Sequence, residues 1–322
     1  MFSATATATS LDALVTTLGQ WGRFLDPAIL AAAAAVVLAA LIPAARRFLP
    51  SALGALTATL VIGEAVLAWF HLRLWDLTML VDPVTGRVSG SFAVPLWIES
   101  EKLYVWAIVL TLIALTLRRH RTELQPTLAV AAALLATGAL VWGRPFAEPL
   151  PSFFAQYGSY LAAWNSGDLG VASGAFQGLE GSRRFYYNTW YMWVHPPLLF
   201  VSYGAFVASF AATVLMIVRR RSSFEQTAYR WARFGYLPLT FGMLIGFPWA
   251  ILAWSGESWW WSGKVNMSIM MWLLYTAYLH ARLYLRRPGM WRVVALLAVL
   301  SFVALVLTYV TTYIVPGAHS VV

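Results

Sequence analysis

The chain has 322 residues, of which 60% are hydrophobic and 11% are charged, and its mean hydropathy is +0.69. Soluble domains carry about 25% charged residues, so this composition excludes a water-soluble globular protein. The lack of cysteine excludes disulfides, thiolate metal sites and cysteine redox chemistry. The net charge of +9 does not indicate nucleic-acid binding, because the basic residues form short clusters between apolar runs. The first ten residues, MFSATATATS, lack a charged region, so we expect no cleaved signal peptide.

Apolar runs long enough to cross a bilayer recur along the whole chain. The predicted spans lie at about residues 27–45, 51–71, 101–118, 126–142, 192–217, 236–254, 265–285 and 293–314. Arginine clusters follow each odd-numbered span, at Arg46–Arg47, Arg118–Arg121, Arg219–Arg221 and Arg282–Arg292. By the positive-inside rule these loops are cytoplasmic, which leaves both termini on the outer (periplasmic) side. The sequence therefore predicts an all-α integral membrane protein, a single polytopic domain over residues 1–322 formed by a bundle of about eight transmembrane helices.

Three connections are predicted on the outer side. Residues 72–100 contain DPVTG, a turn signal. Residues 143–191 form a long outer loop rich in Gly, Ser and aromatic residues, and residues 255–264 form a tryptophan-rich outer loop. On the opposite side, residues 222–235 read as a short amphipathic helix on the cytoplasmic surface.

Three of the five histidines allow more than one interpretation. His120 lies among arginines and reads as a solvated residue of a cytoplasmic turn. His71 ends the second span on the same helix face as Glu64, which is the one acid deep in a predicted span. His280 lies near the inner end of the seventh span. It is either a functional group or, like the nearby Arg282, a polar side chain that extends to the inner lipid headgroups.

The other two histidines are predicted at the outer membrane face. The run NTWYMWVHPPLLF places two prolines directly after His195, and proline suits the first turn of a helix, so His195 is predicted at a helix mouth. His319 follows the last span. Four tryptophans lie on the same face, and the set is Trp254, Trp259, Trp260 and Trp261. These indoles are either an aromatic belt or a platform for a planar ligand, in which case two imidazoles are suited to hold an iron.

With these residues in place, the chain resembles the haem-handling membrane family of cytochrome c biogenesis, the CcsA- and CcmF-like proteins named for a tryptophan-rich WWD motif. HPPLLFVSYG, from His195 to Gly204, is similar to the family segment that bears the first external haem-ligand histidine. The segment Trp249–Leu273 is similar to the motif region, YLHAR to the segment with the buried histidine, and GAHS to the second external histidine. PLWIESEKLYVWA, from Pro95 to Ala107, resembles an earlier outer segment.

The motif itself departs from the family pattern, which reads roughly WxWDPxE. Ser262 stands at the aspartate position, Gly263 at the proline and Val265 at the second acid, while the aromatic residues stay. The resemblance also implies two buried histidines, of which His280 matches one and His71 lies at the wrong depth for the other. A second buried ligand would then come from a partner subunit.

The resemblance implies a haem-handling component of cytochrome c maturation, as part of a haem lyase, in the bacterial inner (cytoplasmic) membrane. Haem b is the implied cofactor, with His195, His319 and His280 as iron ligands and the four tryptophans beside it. Arg183, Arg184 and Lys264 are candidate partners of the haem propionates. Apocytochrome c and a CcsB-type or other membrane subunit are the implied partners, besides the lipid bilayer and with no nucleic acid. Two alternatives stay open: a non-enzymatic haem-binding or haem-exporting subunit, and a structural or quinone-binding subunit of a respiratory complex.

Overall fold

A computed structural model describes residues 3–117, 123–221, 223–255 and 258–315, and this part of the chain is almost entirely helical. Its α-helices are α1 (Ala4–Leu41), α2 (Leu49–Leu77), α3 (Lys102–Thr116), α4 (Leu124–Gly138), α5 (Pro151–Ser166), α6 (Leu169–Ser182), α7 (Trp190–Arg219), α8 (Ser223–Ala253), α9 (Gly263–Ala281) and α10 (Met290–Ile314). Two short strands, β1 (Met79–Val81) and β2 (Val88–Ser91), pair antiparallel.

The chain forms two compact units. Unit 1 consists of Met1–Leu112 and Ala129–Trp193, and unit 2 consists of Ile113–Leu128 and Val194–Val322. In unit 1, α1 packs against α2 and α5 packs against α6; in unit 2, α9 packs against α8 and α10.

The α1–α2 pair shows how the sequence specifies this packing. The buried residues of α2 recur every three or four positions, namely Leu53, Leu56, Leu60, Gly63, Leu67, Phe70 and Leu74. This spacing places them on one stripe of the helix. Large apolar side chains on the other faces are exposed, among them Val61 and Ile62. An apolar surface outside a buried stripe is what a helix in a bilayer needs, since lipid replaces water there.

Six helical segments of the described chain are long and apolar enough to span a membrane, which supports the membrane-protein prediction. They are Ala4–Leu41, Pro43–Leu77, Leu124–Gly143, Trp190–Arg219, Ser223–Ala253 and Met290–Thr311. The predicted spans 101–118 and 265–285 are helical as α3 and α9, with 15 and 19 residues, but they do not belong to this set. The count of eight spans and the side of the termini stay predictions.

Several predicted boundaries are wrong. Helix α1 begins at Ala4, far before residue 27, because Ser3 caps it and the Ala- and Thr-rich start continues the helix. The expected short helix at 222–235 is the first part of α8, which runs without a break from Ser223 to Ala253. Within residues 143–191 the chain forms α5 and α6.

The turn predicted at DPVTG is confirmed, because it connects β1 and β2. Asp82 accepts hydrogen bonds from the amides of Val84 and Thr85, and Gly86 adopts a positive φ of 67°. A positive φ favours glycine, so the last residue of the motif suits this position. These two strands are the exception to the all-α prediction within the described residues.

The segment before α3 is tied to α5 by hydrogen bonds. The carboxylate of Glu99 accepts hydrogen bonds from the amides of Ser152 and Phe153, in the first turn of α5, at 2.7 and 3.2 Å. A carboxylate at a helix N-terminus satisfies free amides and complements the helix dipole. Burial raises the pKa of Glu99, against the effect of these hydrogen bonds and of one from the Tyr187 hydroxyl.

Candidate functional site

The two prolines after His195 predict that it lies in the first turn of its helix, and this prediction is wrong. Helix α7 begins at Trp190, so Pro196 and Pro197 lie inside it. A proline has no N–H for the carbonyl four residues earlier, which frees the carbonyl of Met192. The indole Nε1 of Trp97 donates to this carbonyl at 2.6 Å. This side-chain donor replaces the missing helical hydrogen bond, and the helix therefore tolerates the proline.

The imidazole of His195 is fixed by a hydrogen bond to helix α8. Its Nδ1 lies 2.7 Å from the carbonyl oxygen of Gly242. A carbonyl only accepts, so Nδ1 carries the hydrogen of this bond. In the neutral imidazole, Nε2 then carries a lone pair and is the nitrogen suited to a metal.

Two glycines of α8 make room for side chains of α7, Gly246 for His195 and Gly242 for Leu199. A Cβ at Gly246 would lie 2.6 Å from Cε1 and 2.8 Å from Nδ1 of His195, and a Cβ at Gly242 would lie 2.8 Å from a methyl carbon of Leu199. Glycines four residues apart are a common means of bringing membrane helices close together. The GMLIG sequence thus allows α7 and α8 to approach at the histidine.

Two pairs of neighbouring tryptophans pack against each other in unit 2. Trp249 lies beside His195, with ring centroids 6.0 Å apart, and Trp254 packs edge-on against Trp249 at 4.7 Å. Trp259 and Trp260 stack on each other at 3.8 Å, next to Phe247. The platform of four indoles stays a prediction.

Exposure also differs among the three consecutive tryptophans. Trp259 is buried at 4% exposure, Trp260 is half exposed, and Trp261 is 81% exposed. The three residues form a short 3₁₀ turn, which points successive side chains in different directions. Trp259 belongs to the core, whereas Trp261 offers most of its surface to a membrane or ligand.

Ser262 stands at the start of α9, where it acts as the N-cap. Its hydroxyl accepts a hydrogen bond from the amide of Val265 at 3.4 Å. Serine and aspartate are about equally good N-caps. Serine at this position therefore fills the capping role that an aspartate would fill, without a charge.

His280 is near the end of α9 and is exposed. Its Nδ1 donates to the carbonyl of Thr276, 2.8 Å away, which leaves Nε2 as the nitrogen with the lone pair in the neutral ring. The hydroxyl of Thr276 is hydrogen-bonded to the hydroxyl of Tyr236, on α8, at 2.7 Å. One turn earlier on α9, the indole of Trp272 donates a hydrogen bond to the hydroxyl of Thr240, also on α8, at 3.0 Å. Polar contacts between α8 and α9 thus fix the helix turn that carries His280.

The cations predicted to meet propionates are found in different surroundings. Arg183 forms two hydrogen bonds to Glu180, at 2.7 and 2.9 Å, and is largely buried. The exposed Arg184 also pairs with Glu180. Burial opposes the ionisation of Glu180, but hydrogen bonds from Arg183, Ser89 and Arg184 outweigh it and lower the pKa of the carboxyl to about 2. In unit 2, Lys264 lies half-buried in the first turn of α9.

His319, His120 and Glu257 lie outside the described residues. The pairing of His195 with His319 stays a prediction. The described residues contain no group of three or more His, Cys, Asp and Glu side chains arranged to hold a metal ion. Sequence reasoning missed Trp249, Gly242 and Gly246 as neighbours of His195; the signal for the glycines was their four-residue spacing.

Comparison with known proteins identifies the family. The sequence model of the cytochrome C assembly protein family matches residues 96–319, which is more than half of the chain. The chain belongs to this family. The predicted relation to CcsA- and CcmF-like proteins of cytochrome c biogenesis is thereby confirmed.

Individual relatives match over shorter segments. The probable cytochrome c-type biogenesis protein NrfE of Escherichia coli is 36% identical over 127 residues, which are 38% of this chain and 22% of the relative. The cytochrome c biogenesis protein CcsA of Prochlorococcus marinus is 36% identical over 98 residues, 30% of each chain. The cytochrome c-type biogenesis protein CcmF of Haemophilus influenzae is 34% identical over 113 residues, 34% of this chain and 17% of the relative. The matched segments thus span less than a third of these relatives. No solved structure matches.

Proposed function

We propose that this chain is a haem-handling membrane component of cytochrome c maturation, which holds haem b at the outer face of the bacterial inner membrane for attachment to apocytochrome c. The observation that carries the proposal is the orientation of His195. Its Nδ1–H is engaged by the Gly242 carbonyl, so Nε2 is the nitrogen left to bind iron. Family membership supplies the biological context.

The residues of unit 2 suit a haem in chemical terms. His195 supplies a nitrogen ligand of fixed tautomer, and Trp249 supplies a flat apolar surface beside it. His319 would be the second residue to hold the iron, and His280 would hold a second haem together with a ligand from a CcsB-type subunit. Lys264 is the proposed propionate partner in unit 2. Arg183 and Arg184, which belong to unit 1, are proposed as propionate partners by their charge, with Arg183 the least suited because Glu180 occupies two of its donors.

The proposed chemistry assigns this chain mainly to positioning. A bound haem supplies the vinyl groups to which the thiols of an apocytochrome Cys-x-x-Cys-His segment add. His195 and His319 orient the group, and the tryptophans exclude water from one side. Holding two reactants in the right geometry supplies a large part of the rate of such a reaction.

Membrane topology is part of the same proposal. Eight spans with both termini outside place His195, His319 and the loop 255–264 on one face of the membrane, where an apocytochrome arrives. The arginine clusters between the spans support this orientation.

The altered motif favours a second candidate function, haem binding without attachment. Ser262 retains the helix cap but has no charge, and Val265 has neither a charge nor a hydrogen-bonding group. Glu257, five residues before Ser262, is the acid that is proposed to substitute. In this candidate, attachment activity is weak, absent or dependent on a partner.

An absorption spectrum of the purified chain tests haem binding. We expect a Soret band that falls strongly in His195→Ala and in His319→Ala and that returns in part when imidazole is added. An unchanged haem content in the double variant would overturn the pairing. A protein with no haem in any preparation would instead favour a structural or quinone-binding role.

Maturation of a reporter cytochrome separates the two candidates. The chain is expressed in cells that lack their own maturation system, with a full-motif relative as control. Reporter maturation at the level of the relative would contradict the weak-attachment candidate. Loss of that activity in Glu257→Gln would then support a compensating acid.

A further inference from the structure

Unit 1 contains a buried ion pair that the proposed haem site does not use. The Nε2 of His71, on α2, lies 2.8 and 3.0 Å from the two carboxyl oxygens of Glu101. His71 is 7% exposed and Glu101 is 0% exposed. A titratable pair is therefore enclosed within the helices of this unit.

The hydrogen bonds of His71 show where its protons are. Its Nδ1 lies 2.8 Å from the carbonyl oxygen of Val94, and because a carbonyl only accepts, Nδ1 carries a hydrogen. The hydrogen bond between Nε2 and Glu101 contains one further proton. This proton belongs either to an imidazolium beside a carboxylate or to a carboxylic acid beside an imidazole. The pair thus holds one proton that both partners are able to bind.

A third titratable group lies on the same helix face. Glu64 precedes His71 by seven residues, which is two turns or roughly 10 Å along the axis. Its Oε2 is buried and has no hydrogen-bond partner. A buried carboxyl oxygen without a partner is costly if the group is charged.

Neighbouring helices contribute further groups near Glu64. The hydroxyl of Tyr104, on α3, donates to the carbonyl of Leu60, one turn before Glu64, at 2.9 Å. This approach is possible only because residue 63 is glycine: a Cβ there would lie 2.0 Å from the Tyr104 oxygen. On α1, Oδ1 of Asp26 is likewise buried without a partner.

Stability does not explain why these groups are present. A buried ion pair can often be replaced by apolar side chains of similar volume at no cost or with a gain in stability. Ionisable side chains inside membrane helices commonly mark ion pathways and proton relays. The mixture here, two carboxyls and an imidazole close to a phenol and a further carboxyl, suits proton binding and contains no thiol or thioether, the soft metal ligands of proteins.

We propose that His71, Glu101 and Glu64 form a proton-exchange site in unit 1. The pair gains or loses its shared proton as one unit, and Glu64 binds a second proton. Water on the outer side of His71, which is six residues from the end of α2, is the donor and acceptor. Only protons move, and no oxidant or reductant takes part.

Infrared difference spectroscopy of the full chain in lipid nanodiscs tests the site. Spectra are compared between about pH 5 and about pH 9, since buried carboxyls are known to titrate there. We expect carboxylic-acid C=O bands that respond to pH and shift in D₂O. Glu64→Gln should remove one band and His71→Asn should displace another. Glu148→Gln, an exposed carboxyl paired with Arg144, is the matched control and should leave these bands unchanged.

Two results would overturn the proposal. One is a wild-type spectrum without pH-dependent carboxylic-acid bands. The other is a set of bands that persists unchanged in Glu64→Gln and His71→Asn. If the His71 variant does not fold, the D₂O shift of the wild-type bands decides, because a site closed to proton exchange shows none. The measurement uses haem-free protein, so its outcome does not depend on the proposed haem function.

Discussion

The Nδ1 of His195 lies 2.7 Å from the carbonyl oxygen of Gly242, one helical turn before Gly246, and the imidazole occupies the space that a side chain at Gly246 would fill. The orientation of the histidine therefore depends on two residues of another helix. Both residues are glycines, so they act through a backbone carbonyl and through the absence of a side chain.

Gly246→Ala should displace this imidazole. The new Cβ would lie 2.6 Å from Cε1, so the ring must move and its hydrogen bond to Gly242 weakens. Loss of the hydrogen-bond partner of a metal-ligating histidine typically lowers metal affinity about 10- to 100-fold. We expect a loss of haem affinity in this range, measured by titration of the Soret band. Gly174→Ala on α6 is the matched control, because nothing lies within 4 Å of its Cβ. Equal haem affinity in both variants would contradict the prediction.

Trp259 and Trp261 should differ sharply in their effect on stability. Replacing the buried Trp259 with Ala removes its stack with Trp260 and its contact with Phe247, and a cost of about 3–5 kcal/mol is expected for a buried tryptophan. Replacing Trp261, at 81% exposure, should change stability by less than about 0.5 kcal/mol. Thermal unfolding in detergent measures both. Similar melting temperatures for the two variants would show that Trp259 is not part of the core.

The ion pairs of Glu180 should make stability depend on pH in the acid range. The folded pKa of about 2 is below the ordinary value of 4.5, so the stabilisation is present above the ordinary value and is lost as the pH falls towards 2. Glu180→Gln should therefore destabilise the chain at pH 7, on the order of 2 kcal/mol, and have little effect near pH 2. Melting temperatures of wild type and variant at both pH values test this. A constant difference between them would refute the linkage, and the exposed pair of Glu148 provides a control with a small effect at either pH.

Cysteine labelling tests the topology. The chain has no cysteine, so single substitutions give a clean background. We expect His120→Cys, between arginines, and Val171→Cys, at an exposed position of α6, to react with a membrane-impermeant reagent from opposite sides. Reaction from the same side would require a different number of spans between them.

Local signals in the sequence predict part of the fold correctly. The DPVTG turn is determined by Asp82 and Gly86 within five residues, so it needs no distant partner. The start of α1 is missed because Thr and Ser lower the hydropathy of its first turns, although Ser3 is a recognisable cap. The interior position of Pro196 is missed because the Trp97 indole, 95 residues before Met192, donates the hydrogen bond that the Met192 carbonyl would otherwise lack.

In the candidate site, too, local sequence signals are predictable and distant contacts are not. His195 is recognisable from HPP, and the tryptophans from their density. Their neighbours are not, since His195 and its partner Gly242 are 47 residues apart, and the different exposure of Trp259 and Trp261 depends on a 3₁₀ turn. The buried pair of His71 and Glu101 is likewise set by a contact over 30 residues.

The capping hydroxyl of Ser262 bears on how such proteins are recognised in genomes. An N-cap accepts Ser, Thr, Asp or Asn with similar stability, so any of these four residues at position 262 would preserve the start of α9. A search pattern that demands an acid there will discard chains whose architecture is intact. A pattern that admits any capping residue will retain them, including chains in which the cap of this helix carries no charge.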